Sequence, residues 1–97
     1  MIRELAHIVV KPGAQAGFEA AVHEALALFK RVKGCRHVEL HHGIEKPEEY
    51  LLVVHWETLE DHVEGFRKSP AFQEWRGMVG GFFAQAPDVV HANVVIE

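Results

Sequence analysis

Tyr50-Leu51-Leu52-Val53-Val54-His55-Trp56-Glu57 follows Cys35-Arg36-His37-Val38-Glu39-Leu40-His41-His42-Gly43-Ile44 across the polar, proline-bearing turn Glu45-Lys46-Pro47-Glu48-Glu49. In the earlier segment Val38, Leu40, His42 and Ile44 share one parity, and Cys35, His37, Glu39 and His41 share the other. That alternation is the period of a strand with one apolar and one polar face. The later segment sets Leu52, Val54 and Trp56 against Leu51, Val53 and His55. Two such runs joined by a short polar turn predict an antiparallel hairpin.

The rest of the fold is read outward from this hairpin. Residues 4 to 11 are β-branched and apolar on both parities, which suits a strand covered on both faces, and Pro12-Gly13 ends it. Between Gln15 and Lys33 the positions Phe18, Val22, Ala25, Phe29 and Val32 recur at helical spacing. Lys30, Arg31 and Lys33 are expected in the last turn of that helix, at the negative end of its dipole, with Gly34 as the stop. Thr58 and Asp61 have capping-box spacing and predict a short helix. Ser69-Pro70 predicts another helix start, followed by the stripe Phe72, Trp75, Val79 and Phe82 or Phe83. Gly77, Gly80 and Gly81 weaken the end of this helix. Residues 88 to 96 close the chain as a last strand.

The resulting order, βαββαβ, predicts one α+β domain over residues 1 to 97, a ferredoxin-like antiparallel sheet with helices on one face. Helices cover only that face, yet strand one and strand three are apolar on both. A second copy packed sheet to sheet is the economical cover, and we expect a homodimer formed through the open face, closing into a dimeric α+β barrel. Size argues the same way: for 97 residues the gain from burial and the cost of ordering nearly cancel, so a lone protomer has little margin.

Composition removes several functions. The net charge is −4, and the basic residues are scattered except for Lys30, Arg31, Lys33 and Arg36, so there is no footprint for nucleic acid. Apolar runs are far shorter than the ~20 residues that span a bilayer, and Met1-Ile2-Arg3-Glu4 does not read as a signal peptide. A lone cysteine, Cys35, fits a reducing compartment and the role of a small hydrophobe. A cytoplasmic location is expected. Eight histidines are a clear excess. His7, His55 and His91 fall on neighbouring strands, but no local pair of suitable parity and no adjacent carboxylate supports a metal site, so none is expected. His23 belongs to the polar side of its helix.

Gly34-Cys35, Glu39-Leu40-His41, the Pro47 turn, Val53-Val54-His55-Trp56-Glu57, Phe66, Ser69-Pro70-Ala71-Phe72, Trp75-Arg76 and the closing Pro87-Asp88-Val89-Val90-His91 together resemble the antibiotic biosynthesis monooxygenase family over nearly the whole chain. The resemblance implies a dimeric α+β barrel. It also implies, for some members, oxidation of polycyclic phenols or quinols by O₂ with no metal or flavin, and no cofactor is expected here. In the quinone-forming members the pocket includes a strand-two histidine, the tryptophan ending strand three and an arginine on the last helix, which correspond to His42, Trp56 and Arg76. An asparagine and a tyrosine of those pockets are replaced by Leu52 and His62. Haem-degrading members use an asparagine, a tryptophan and a histidine where this chain has Ala6 or His7, Phe66 and Arg76, which argues against haem degradation.

On this reading His42 is the general base, taking a phenolic proton to leave an electron-rich anion. Trp56 is the stacking wall and Arg76 the partner of the oxyanion. Leu52, His62, Phe66, Phe72, Trp75 and Phe82 are expected to bind a flat aromatic or polycyclic substrate. The alternative is a non-catalytic ligand-binding or structural dimer of the same fold, favoured by Leu52 in place of a polar residue.

Overall fold

The computed structural model describes residues 1–97 and has the expected order of elements. These are β1 (Ile2–Val9), α1 (Gln15–Phe29), β2 (Cys35–His42), β3 (Glu49–Trp56), α2 (Pro70–Val79) and β4 (Asp88–Asn93). A π-helical turn (Asp61–Phe66) leads into α2 and a 3₁₀ turn (Gly80–Phe82) leaves it. The strands form one antiparallel sheet in the order β2-β3-β1-β4, the ferredoxin-like arrangement.

Register decides which side chains meet the helices. Ala6 pairs with Leu52 and Val89, and Leu52 pairs with Leu40, so these residues share a face. Ala6, Ile8, Tyr50, Leu52, Val54 and Trp56 are buried there against Phe18, Val22, Ala25 and Phe29 of α1 and Trp75 and Val79 of α2. The opposite parity carries Arg3, Leu5, His7, His37, Glu39, His41, Leu51, Val53 and His55. On this open face Val53 is buried, Arg3, Leu5, His7, Leu51 and His55 are half-buried and His37, Glu39 and His41 are exposed, so it is less apolar than strand one alone implied. His37 and His41 both bond Glu39, at 2.8 Å each, and His7 bonds Glu49 at 2.7 Å.

Several boundaries differ from the expectation. The first helix stops at Phe29, and the amides of Arg31 and Val32 turn back to the carbonyls of Leu28 and Phe29, so Arg31 and Lys33 lie beyond the last turn. Gly34 follows with φ of +84°, where any Cβ would collide with the Asp61 carboxylate. Thr58 caps as expected, accepting the Asp61 amide at 3.1 Å, but the turn it opens is π-helical. Ser69 caps α2 and Pro70 occupies its first turn. The last strand ends at Asn93, opposite Ile2, because β1 offers no partner beyond that point. Val94, Val95 and Ile96 are left exposed.

Candidate functional site

The largest cavity, about 810 Å³, lies between the helix-facing side of β1, β3 and β4 and the inner side of α2. It is within the range of small-molecule sites. Strand parity delivers Glu4, Ala6 and Ile8 from β1, Leu52 from β3 and Val89 from β4. His62 and Phe66 come from the π-helical turn, Phe72, Trp75 and Arg76 from α2, and Phe83 from the segment after the 3₁₀ turn. Phe66 and Phe72 meet edge to face with centroids 5.5 Å apart, and the Arg76 guanidinium lies 5.9 Å from the Phe72 ring centre. The walls are mostly apolar and aromatic, and the cationic Arg76 is held beside them.

One polar cluster interrupts these walls. Glu4 is only 6% exposed, an acid in the stripe otherwise made by Ala6 and Ile8. Its Oε1 accepts the indole N–H of Trp56 at 3.0 Å and lies 3.2 Å from His62 Nε2. His62 Nδ1 in turn meets His91 Nε2 at 2.8 Å. Burial raises the Glu4 carboxyl above its ordinary range, against the Trp56 hydrogen bond and the Arg67 charge. Burial, aided by the charges of Arg67 and His91, lowers His62 to about 4. His91 is lowered as well, by burial and then Arg67. Both imidazoles are therefore neutral at pH 7. A neutral His62 that turns its Nε2–H toward the Glu4 carboxylate has only a lone pair at Nδ1, and in that tautomer His91 donates to it from Nε2.

Of the residues expected from the sequence, Leu52, His62, Phe66, Phe72, Trp75 and Arg76 line the cavity together. Trp56 is fully buried behind Glu4 and stacks on His62, with centroids 5.2 Å apart, so it orients the polar cluster and does not form the wall. Phe82 packs on Gly17 and Phe18 of α1, and it is Phe83 that reaches the cavity. His42 lies outside. It does share the helix-facing parity of Val38 and Leu40, but β2 is the far edge strand. There its ring stacks on Tyr50 at 4.4 Å and its Nε2 bonds the Pro47 carbonyl at 2.7 Å. His7 and His55 face the open side, whereas His91, paired with Glu4, faces the helices. No group of His, Cys, Asp or Glu side chains is arranged to hold a metal ion. Half-buried Cys35 packs against the core, and its thiol is pushed up to about 11 by burial and the neighbouring Glu4.

Glu4, Arg67 and His91 were not legible as site residues. Strand one reads apolar on both parities, so no face could be chosen, and Glu4 passes for a strand-end charge. The usable signal was the run Glu4, Ala6, Ile8, Val10, matched on the last strand by Val89 and His91.

Residues 1–78 match the family model for antibiotic biosynthesis monooxygenases, and the chain belongs to that family. The uncharacterized protein YczJ of Bacillus subtilis (strain 168) is 41% identical over 91 residues, 94% of this chain and 96% of its own length. A solved structure from Bordetella bronchiseptica, assigned to the same family, is 50% identical with a TM-score of 0.96, covering 98% of this chain and 97% of that one. SnoaB, a cofactor-independent oxygenase from Streptomyces nogalater, is 17% identical and superposes with a TM-score of 0.82 over 99% of this chain and 94% of its own, a likeness of fold. No helix is long and apolar enough to cross a membrane.

Proposed function

We propose that the protein is a small cofactor-independent monooxygenase that oxidises a flat phenol or quinol with O₂ inside this cavity, in the cytoplasm. The observation that carries the reading is the convergence of aromatic walls, the Arg76 cation and a buried Glu4–His62 pair on one cavity. A ring carbon bearing two hydrogens in the keto tautomer would become a carbonyl (CH₂ + O₂ → C=O + H₂O). O₂ takes all four electrons, one oxygen atom stays on the ring and the other leaves in water. Arg76 stabilises the phenolate oxygen once the proton is gone. Phe66, Phe72 and Phe83 hold the ring, and the description of SnoaB as a cofactor-independent oxygenase agrees with a reaction that needs no bound group.

O₂ uptake with a panel of quinols and hydroxynaphthoquinones tests this. The wild-type chain is expected to turn over at least one of them, Arg76→Ala to lose roughly 10-fold or more in kcat/KM, and His42→Ala to match the wild type. Equal turnover in Arg76→Ala would sink the oxyanion role. A non-catalytic binding protein is the second reading, favoured by Leu52, which is buried and gives the wall no polar group. It would bind such ligands without O₂ uptake.

The same proposal includes a homodimer through the open sheet face, where Leu5 and Leu51 are only partly covered in the protomer. Sedimentation at micromolar concentration should give twice the chain mass, and a folded monomer would overturn it.

A further inference from the structure

We propose that Glu4 is the general base of the cavity, and that His62 and His91 act as positioning residues which leave it a single basic oxygen. The proposal rests on the oxygenase reading for its substrate but not for its geometry. Oε1 of Glu4 accepts the indole N–H of Trp56 at 3.0 Å and lies 3.2 Å from His62 Nε2, so both neighbours crowd that one oxygen. Oε2 has no protein partner, yet no buried side-chain oxygen in the molecule is left unpaired, so Oε2 keeps solvent access although Glu4 is almost wholly buried. Glu4 lines the cavity, and the cavity is where that access leads.

The two histidines make this arrangement one-way. His62 presents a hydrogen rather than a lone pair to Oε1 at 3.2 Å in only one tautomer, and in that tautomer the 2.8 Å contact at Nδ1 has His91 as its donor. The alternative tautomer would set two lone pairs, or two hydrogens, against each other along the chain. The other groups bearing on Glu4 are the Arg67 cation, which favours its ionised form, and the Cys35 thiol, which is protonated at neutral pH. A carboxylate shielded from bulk water in this way has a basicity nearer neutrality than a surface glutamate, as proton abstraction from a phenol requires.

The proton bookkeeping closes. Glu4 Oε2 takes the proton of the substrate, and the resulting anion gives an electron pair, in two one-electron steps, to O₂ as the C–O bond forms. Glu4 then returns the proton to the terminal peroxide oxygen. It removes the second ring hydrogen as the O–O bond breaks, and the departing hydroxide takes that proton away as water.

A nitronaphthol probe, whose anion absorbs at longer wavelength than its neutral form, reads the base without needing turnover. The wild-type chain is expected to hold the bound probe as its anion at neutral pH, and Glu4→Gln, which keeps the Oε1 bonds, to cut the anion fraction roughly 10-fold or more. Where a substrate is turned over, kcat of Glu4→Gln should fall by roughly 10²-fold with KM little changed. His91→Phe, which cannot donate, should shift the pH midpoint of probe ionisation, and His91→Gln, which can, should restore it. An anion fraction unchanged in Glu4→Gln overturns the base assignment, and equal profiles for the two His91 variants overturn the positioning role. Should Glu4→Gln fail to fold, Glu4→Asp serves, with the anion kept at a lower fraction expected and full wild-type behaviour adverse. Probe ionisation without any O₂ uptake would leave Glu4 as the base and remove the oxygenase reading. Undiminished O₂ uptake in Glu4→Gln would do the reverse.

Discussion

Trp56→Ala is expected to lower the stability of the domain by about 3–5 kcal/mol, a large part of the ~5–15 kcal/mol that such domains possess. Trp56 has no solvent exposure, packs on Phe66 with centroids 5.6 Å apart and on His62 at 5.2 Å, and ends the central strand β3. Truncation therefore leaves a void at the junction of the sheet and the π-helical turn, and it strips Glu4 of the indole N–H it accepts. Trp56→Phe separates the effects. It keeps most of the ring contact, so the thermal midpoint should fall less, but it still removes the indole donor. The hydrogen bond from Trp56 holds the Glu4 carboxyl down, so its loss raises that carboxyl further and moves any activity optimum to higher pH. Thermal melts by circular dichroism with a parallel pH profile test both parts. A Trp56→Ala melt within a degree or two of the wild type would contradict the packing argument, and an unshifted Trp56→Phe optimum would contradict the electrostatic one.

The second large effect is a loss of stability in acid that belongs to His62. In the unfolded chain its imidazole titrates near 6.5, whereas in the fold burial lowers it to about 4. Between those values the unfolded chain takes up a proton that the folded chain refuses. Stability from this residue is therefore complete above pH 6.5, declines as the pH falls towards 4, and is flat below. The full effect is about 3 kcal/mol. Glu4 acts in the opposite sense: its carboxyl is raised, so the folded chain keeps a proton that the unfolded one releases, and its contribution is present at low pH and lost as the pH rises. The wild-type acid limb is thus partly masked. Urea midpoints measured from pH 7 to pH 4 should show a shallow fall for the wild type, a steeper one for Glu4→Gln and a line for His62→Gln that no longer falls and tends to rise as the pH drops. A His62→Gln line as steep as the wild type would remove His62 as the cause.

These two residues also show where the sequence could be read and where it could not. The hairpin, the two helices and the closing strand follow from local period and caps, because turn chemistry and amphipathicity act over a few residues. The ends depend on distant partners. Whether Val94–Ile96 joins the last strand is decided by where β1 begins, and no residue near 94 records that. The site divides in the same way. Phe66, Phe72 and Trp75 needed only helical spacing, whereas Arg76 was singled out by the resemblance to the family. His42 had the right parity and the wrong strand: the cavity lies over β1, β3 and β4, and β2 lies beyond β3. Glu4 was hidden for the converse reason, since parity on strand one could be settled only after the helices had chosen a face.

The border formed by β4 has a practical side. Asp88–Asn93 contains neither lysine nor proline, has no strand on its outer flank, exposes Val90 by 52%, and runs on into Val95 and Ile96, which are 89% and 88% exposed. Natural sheets guard such margins with charge, bulges or prolines, since a bare margin invites another chain to add itself. In mild denaturant, where this margin loosens further, the protein is expected to turn turbid before it unfolds cleanly.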